Sequence, residues 1–211
     1  NELIKIKKEE NFRNFILLGI FLGLGFLSKY AAIYFIICVF ILILLDIKFR
    51  QVVRRNYLRF ISSLMCMSVI IIPNIIWNIN NEWVTLSHTA DNANFANVDI
   101  NFLRGLEFFV IQICMLGPLL VFGGVISFSK INNIQKTLLI FSLPIILIVF
   151  IEAVIVRANA NWAAPALISF FIFLYIRSYN NVLNTMNLLF NFSFSVVFFW
   201  NDSNKLSFRY F

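Results

Sequence analysis

Long apolar runs alternate with short polar intervals along most of this chain. A helix that crosses the hydrocarbon core of a bilayer needs about 20 mostly apolar residues. The pattern predicts four spanning helices and, from a run diluted by asparagines, a fifth. These runs are residues 60–77, 106–128, 138–156, 163–176 and 182–200. Gly117-Pro118 predicts a kink in the second run, because neighbouring helices can satisfy the backbone groups that a proline frees.

Two shorter apolar runs, residues 15–27 and 31–45, are separated by Ser28-Lys29-Tyr30. Each is shorter than a full span. Two structures fit this pattern: one long helix with the lysine in its middle, or two short helices in a hairpin that turns at the lysine. The hairpin is favoured, because it leaves both polar flanks, residues 1–14 and 48–59, on one side of the membrane.

The composition identifies the class of protein. Hydrophobic residues make up 61% of the 211 residues, and charged residues only 13%. A soluble domain of this size cannot bury so much apolar surface, so we expect an all-α, polytopic transmembrane helix bundle with a short helical hairpin and external loops. The three cysteines lie inside apolar runs and predict neither a disulfide framework nor a metal site.

The distribution of cations predicts the orientation of the spans. In the predicted topology twelve cations share one side, as the positive-inside rule requires. They are Lys5, Lys7, Lys8, Arg13, Lys48, Arg50, Arg54, Arg55, Arg59, Lys130, Lys136 and Arg177. The polar interval 73–101 is therefore expected to be an external loop. The net charge of +7 is an orientation signal and does not indicate nucleic acid. We expect residues 1–180 to form the multi-span part and 181–211 an uncertain terminal span and tail.

Three cations, Lys29, Arg104 and Arg157, fall on the other side of this topology. Charges near membrane depth are rare and often functional. These three predict an electropositive external pocket for the phosphate or pyrophosphate of a lipid. The alternative is that each side chain snorkels to headgroups or pairs with an acid at helical spacing, such as Glu107 or Glu152.

The external intervals are also rich in aromatic residues. Trp77, Trp83 and Trp162 offer faces that suit the C–H surface of a sugar, although tryptophans are equally common at membrane interfaces. His88, the single histidine, could act as a base or a ligand. Because no second histidine accompanies it, an exposed loop histidine is the favoured interpretation.

Three segments resemble the membrane glycosyltransferases of the C-type superfamily, in particular the bacterial relatives of protein mannosyltransferases and lipid A aminoarabinose transferases. They are GLGFLSKYAAIYF, PNIIWNINNEWVTLSH and ANWAAPA, within residues 15–170. The resemblance implies that Lys29 holds the donor phosphate. It also implies that two loop segments shape the substrate cavity, namely Trp77, Asn78 and Trp83 with His88 nearby, and Asn161 with Trp162.

The resemblance implies an inverting transfer of a sugar from a polyprenyl-phosphate donor to a hydroxyl of a lipid, glycan or protein acceptor, on the external face of the bacterial inner (plasma) membrane. The family's catalytic aspartate lies in a first external loop with no counterpart here, so no catalytic residue is assigned and a C-terminal fragment is expected. No cofactor is predicted, and a divalent cation stays open. Besides donor and acceptor, only membrane lipids are expected as partners. The alternative is a non-catalytic membrane protein: a lipid-linked-sugar flippase, a permease or a degenerate remnant.

Overall fold

The computed structural model describes residues 2–93, 99–127, 130–156, 158–178 and 180–207, with side chains omitted at 89, 91–93 and 197–207. All regular structure in these ranges is helical. Two short 3₁₀ turns, Tyr30–Ala32 and Ala160–Ala163, accompany the α-helices. The α-helices are α1 (Glu2–Glu9), α2 (Phe12–Ser28), α3 (Ile33–Leu45), α4 (Ile47–Arg55), α5 (Tyr57–Asn80), α6 (Val84–Ala93), α7 (Phe102–Leu116), α8 (Pro118–Ile126), α9 (Asn133–Ile140), α10 (Leu143–Ile155), α11 (Ala164–Ser178) and α12 (Asn181–Ser207).

Three of the described helical segments are long and apolar enough to cross a membrane: Tyr57–Asn80, Asn133–Ile155 and Ala160–Ser178. Two further bent pairs, α3 with α4 and α7 with α8, raise the number to five if each pair counts as one span. The predicted all-α, multi-span class is confirmed. The predicted run 182–200 is helical within α12, but α12 is not among the three segments.

The chain divides into two compact units. The first holds the chain up to Ile100 together with a short piece that begins at Ile155, and the second holds Asn101–Val154 and the chain after Ala158. The hairpin and the I-W-N segment therefore belong to the first unit, whereas the A-N-W segment belongs to the second.

The predicted hairpin is present in the first unit. Helix α2 ends at Ser28, and Lys29 adopts an extended backbone (φ −160°, ψ 126°) before the chain re-enters a helix. After α3, Asp46 accepts a hydrogen bond from the Lys7 ammonium, and Arg55 pairs with Glu10. The chain has thus returned to its starting end, and both polar flanks lie together as predicted.

Helix α2 packs along α5 through two glycines. A Cβ atom on Gly19 would overlap the carbonyl oxygen of Ser63, and one on Gly23 would overlap Ile70. Small residues at this spacing allow helix backbones to approach closely. The later glycine of α2 meets the later residue of α5, so α2 and α5 run parallel.

The predicted external loop is shorter than expected. Helix α5 continues through Pro73 to Asn80, and Val84–Ala93 forms α6. The span predicted over residues 60–77 therefore lies within α5, and much of the described part of the polar interval after it is helical as well. A proline removes one backbone N–H donor, but a helix can continue through it where neighbouring helices or side chains satisfy the backbone groups that it frees.

In the second unit, the predicted kink is a sharp break. Helices α7 and α8 meet at 91° around Gly117, whose φ of 95° favours glycine, and Pro118 begins α8. Asn187 of α12, only 3% exposed, reaches this break. Its Oδ1 accepts from the Leu120 N–H at 3.1 Å, and its Nδ2 donates to the Leu116 carbonyl at 3.3 Å. One asparagine therefore satisfies groups on both sides of the break.

Arginine side chains donate hydrogen bonds to backbone carbonyl groups near the ends of two other helices. The Arg50 Nε donates to the Ile43 carbonyl at 2.9 Å, near the end of α3. The Arg177 Nε donates to the Gly124 carbonyl at 2.8 Å, near the end of α8. Cations at a helix C-terminus also interact favourably with its dipole.

We predict that Asn187→Leu lowers the free energy of unfolding by about 1–3 kcal/mol, because it leaves a buried donor and a buried acceptor unsatisfied. Reversible unfolding in mixed micelles measures this change. Asn191→Leu is the matched control, since the Asn191 Oδ1 is buried without a hydrogen-bond partner among the described residues. Equal destabilisation by both substitutions would contradict the role of Asn187.

Candidate functional site

Four polar side chains form a hydrogen-bonded network in the first unit, where α5 ends. The Tyr30 hydroxyl lies 3.3 Å from Asn74 Oδ1 and 3.1 Å from Thr85 Oγ1. The Thr85 hydroxyl donates to Asn78 Oδ1, and Asn78 Nδ2 donates to the Asn74 carbonyl at 2.9 Å. The network joins the residue after Lys29 to α5 and to the start of α6.

Asn78 is the centre of this network and is 2% exposed. Its backbone carbonyl accepts the N–H of Trp83 at 2.8 Å and that of Asn81 at 3.2 Å. Glu82 and Trp83 have positive φ values of 53° and 57°, in the region that non-glycine residues rarely adopt. The Asn78 carbonyl therefore holds the chain through the strained turn between α5 and α6.

The two tryptophans of the motif lie at the rim of this network. Trp77 is 47% exposed and Trp83 is 45% exposed. His88 is exposed on α6, one helical turn after Thr85. In this segment, therefore, the Asn78 side chain is buried, whereas Trp77 and Trp83 are exposed.

Lys29 lies directly before the network in sequence. Its backbone N–H donates to the Gly25 carbonyl at 3.0 Å, and its carbonyl accepts the Ala32 N–H at 3.0 Å. Its side chain is exposed. The lysine backbone is therefore fixed by the hairpin turn, while the residue itself is exposed.

The A-N-W segment forms the 3₁₀ turn Ala160–Ala163 in the second unit. Asn161 is exposed and Trp162 is half-buried. Gln112 of α7, 3% exposed, donates from Nε2 to the Ala160 carbonyl at 3.0 Å and anchors the turn.

Of the other two predicted cations, the structure describes Arg104. Arg104 is half-buried in the first turn of α7, where the Asn101 side chain accepts its backbone N–H at 3.4 Å. Arg157 lies outside the described residues. The roles predicted for both arginines stay predictions.

Sequence reasoning missed Tyr30, Asn74, Thr85 and Gln112. The first three lie close in sequence to residues that were singled out in the motif segments. Asn74 precedes Asn78 by one helical turn, and this spacing could have predicted their contact. Gln112 lies in an apolar run without any motif, and only the fold brings it to the Ala160 carbonyl. Within the described part of the chain, no group of three or more metal-ligating side chains assembles.

Comparison with known proteins shows which proteins this chain resembles in sequence. Residues 3–77 match the family model of dolichyl-phosphate-mannose-protein mannosyltransferases. The matched range includes Lys29, Tyr30, Asn74 and Trp77.

The chain is also 31% identical, over 159 residues, to the lipid A galacturonosyltransferase RgtD of Rhizobium johnstonii. The alignment covers 73% of this chain and 33% of the relative, so the chain spans about a third of that protein's length. No solved structure matches the chain.

We predict that Asn78→Leu lowers the free energy of unfolding by roughly 1–3 kcal/mol, because it leaves the partly buried Thr85 hydroxyl and Asn74 carbonyl without their Asn78 partner. It is also expected to change tryptophan fluorescence as the turn that holds Trp83 loosens. Thermal unfolding in detergent and emission spectra measure both effects.

Asn81→Leu is the matched control, three residues away. The Asn81 side chain is exposed and, among the described residues, donates only to the Trp77 carbonyl, at 2.7 Å, so the stability change is expected to stay within about 0.5 kcal/mol. If both substitutions gave the same loss, the network would not be what holds the turn.

Proposed function

Because this chain belongs to the protein mannosyltransferase-like C-type membrane glycosyltransferases, we propose that it forms part of an enzyme that transfers a sugar from a polyprenyl-phosphate donor to an acceptor hydroxyl. The reaction proceeds with inversion on the external face of the membrane, where α5 ends. The acceptor is a lipid or glycan of the bacterial envelope, and the membrane is the inner membrane. The observation that carries the proposal is the exposed Lys29 beside a network built from two motif segments.

Lys29 is the proposed donor-phosphate ligand in the first unit. When the bond between the sugar and the phosphate breaks, negative charge develops on the departing polyprenyl phosphate. A fixed cation at that oxygen stabilises the transition state more than the ground state, which is the requirement for catalysis. The hairpin turn supplies the fixed backbone, since both backbone polar groups of Lys29 are hydrogen-bonded.

Arg104 and Arg157 are proposed as further phosphate ligands, because guanidinium groups bind phosphate oxygens in pairs. The proposal gives these arginines a binding role and assigns no general base to the described residues.

The motif segments are proposed to form the walls of the substrate cavity. Trp77 and Trp83 present rings that suit the C–H face of a sugar, and His88 adds an exposed polar group beside them. Asn78 acts as a positioning residue, because its contacts are with the protein. In the second unit, Asn161 and Trp162 are proposed to contribute a comparable wall, which Gln112 holds in place.

The deciding experiment is Lys29→Ala in the complete protein. We expect kcat/KM for sugar transfer to fall by about 10²–10³, the usual effect of removing one electrostatic group at a developing charge. Membrane insertion and thermal stability are expected to stay unchanged, because the side chain is exposed. Transfer from a synthetic polyprenyl-phosphate sugar in isolated membranes measures the rate.

Lys136→Ala serves as the control, because it also removes an exposed lysine but lies on α9, outside the three motif segments in sequence. It is expected to retain wild-type turnover. Wild-type turnover in Lys29→Ala would remove Lys29 from the site, and an equal loss in both variants would point to a general charge effect.

A further inference from the structure

Helix α4 has the geometry of a helix that lies on a membrane surface. It follows the apolar helix α3 after a bend of 107°, so it runs across the direction of that helix. Phe49 and Val52 are buried on its inner side, and the Phe49 ring lies 6.2 Å from the Phe60 ring. Because this apolar face packs on the protein itself, the outward side of α4 is the side that a bilayer surface would meet.

The outer side of α4 is strongly basic. The nine residues of the helix contain four cations and no acid. Two of these cations have partners in the protein, because Arg50 donates to the Ile43 carbonyl and Arg55 pairs with Glu10.

The other two cations, Lys48 and Arg54, are exposed, and neither side chain forms an ion pair or hydrogen bond with the described residues. Two charges of one sign are therefore left facing outward from a helix that is fixed at both ends.

Apolar side chains accompany these charges. Ile47 is 66% exposed and Leu58, at the start of α5, is 62% exposed. Exposed aliphatic residues next to exposed cations are typical of a surface that contacts acyl chains and headgroups together. A nucleic acid or an acidic protein would leave Ile47 and Leu58 in water.

We propose that Lys48 and Arg54 bind the headgroups of anionic phospholipids in the leaflet that faces α4, while Ile47 and Leu58 contact the acyl region. The proposed partner is a lipid because α4 lies in sequence between the apolar helix α3 and the candidate span α5, and the 107° bend turns it away from the direction of α3. Charge complementarity with anionic lipid supports the same choice. The inference does not depend on the proposed function.

The test uses the complete protein in dodecyl maltoside, with phosphatidylglycerol or phosphatidylcholine added, and follows thermal unfolding. Phosphatidylglycerol is expected to raise the unfolding temperature more than phosphatidylcholine, because a ligand that binds the folded state stabilises it. Lys48→Gln and Arg54→Gln are each expected to weaken the apparent affinity for phosphatidylglycerol about fivefold. The double variant is expected to weaken it about 25-fold.

The control is the double variant Lys130→Gln/Lys136→Gln, which also removes two exposed cations predicted to lie on the same side of the membrane. It is expected to retain the wild-type affinity. Equal weakening in both double variants, or none in Lys48→Gln/Arg54→Gln, would overturn the assignment to α4. Equal stabilisation by inorganic phosphate would identify a free-anion site and would overturn the lipid proposal. Each outcome is independent of sugar transfer.

Discussion

The constraint that governs this protein is that backbone polar groups in apolar surroundings need partners inside the protein. Unbroken helices meet this requirement by themselves, but this chain interrupts its apolar runs at several places. At the break between α7 and α8 the partner is Asn187, and at the ends of α3 and α8 it is an arginine. At these three helix ends the polar side chain therefore has a structural role.

The same constraint accounts for the form of the candidate site. A turn between two helices exposes carbonyl and N–H groups, and the Asn78 backbone carbonyl accepts two of the N–H groups. The Asn78 side chain bonds to Asn74 and Thr85, so this residue contacts the protein, whereas Trp77, Trp83 and Lys29 are exposed. Substitutions of the buried residue are therefore expected to act on folding, and those of the exposed residues on the proposed binding.

Hydropathy and charge were enough to predict the class of fold, most span positions and the hairpin at Lys29, because bilayer thickness and charge placement act locally on the sequence. They did not predict helix α6 or its link to the hairpin, since the hydrogen bond between Tyr30 and Thr85 joins residues that are 55 positions apart in sequence. The role of Asn187 could not be predicted from the sequence for a related reason. The sequence around it indicates only a diluted apolar run, and its partners lie 67 and 71 residues earlier.

That separation has a consequence for the biogenesis of the protein. The break at Gly117 enters the membrane before Asn187 has been synthesised, and ribosomes add about 5–20 residues per second. For roughly 4–14 s, the Leu116 carbonyl and Leu120 N–H await their final partner. During that interval the translocon or a membrane chaperone must shield them. The break at Gly117 therefore matures only after α12 has arrived, so a ribosome that stalls within α12 leaves a membrane-inserted but incomplete intermediate for quality control.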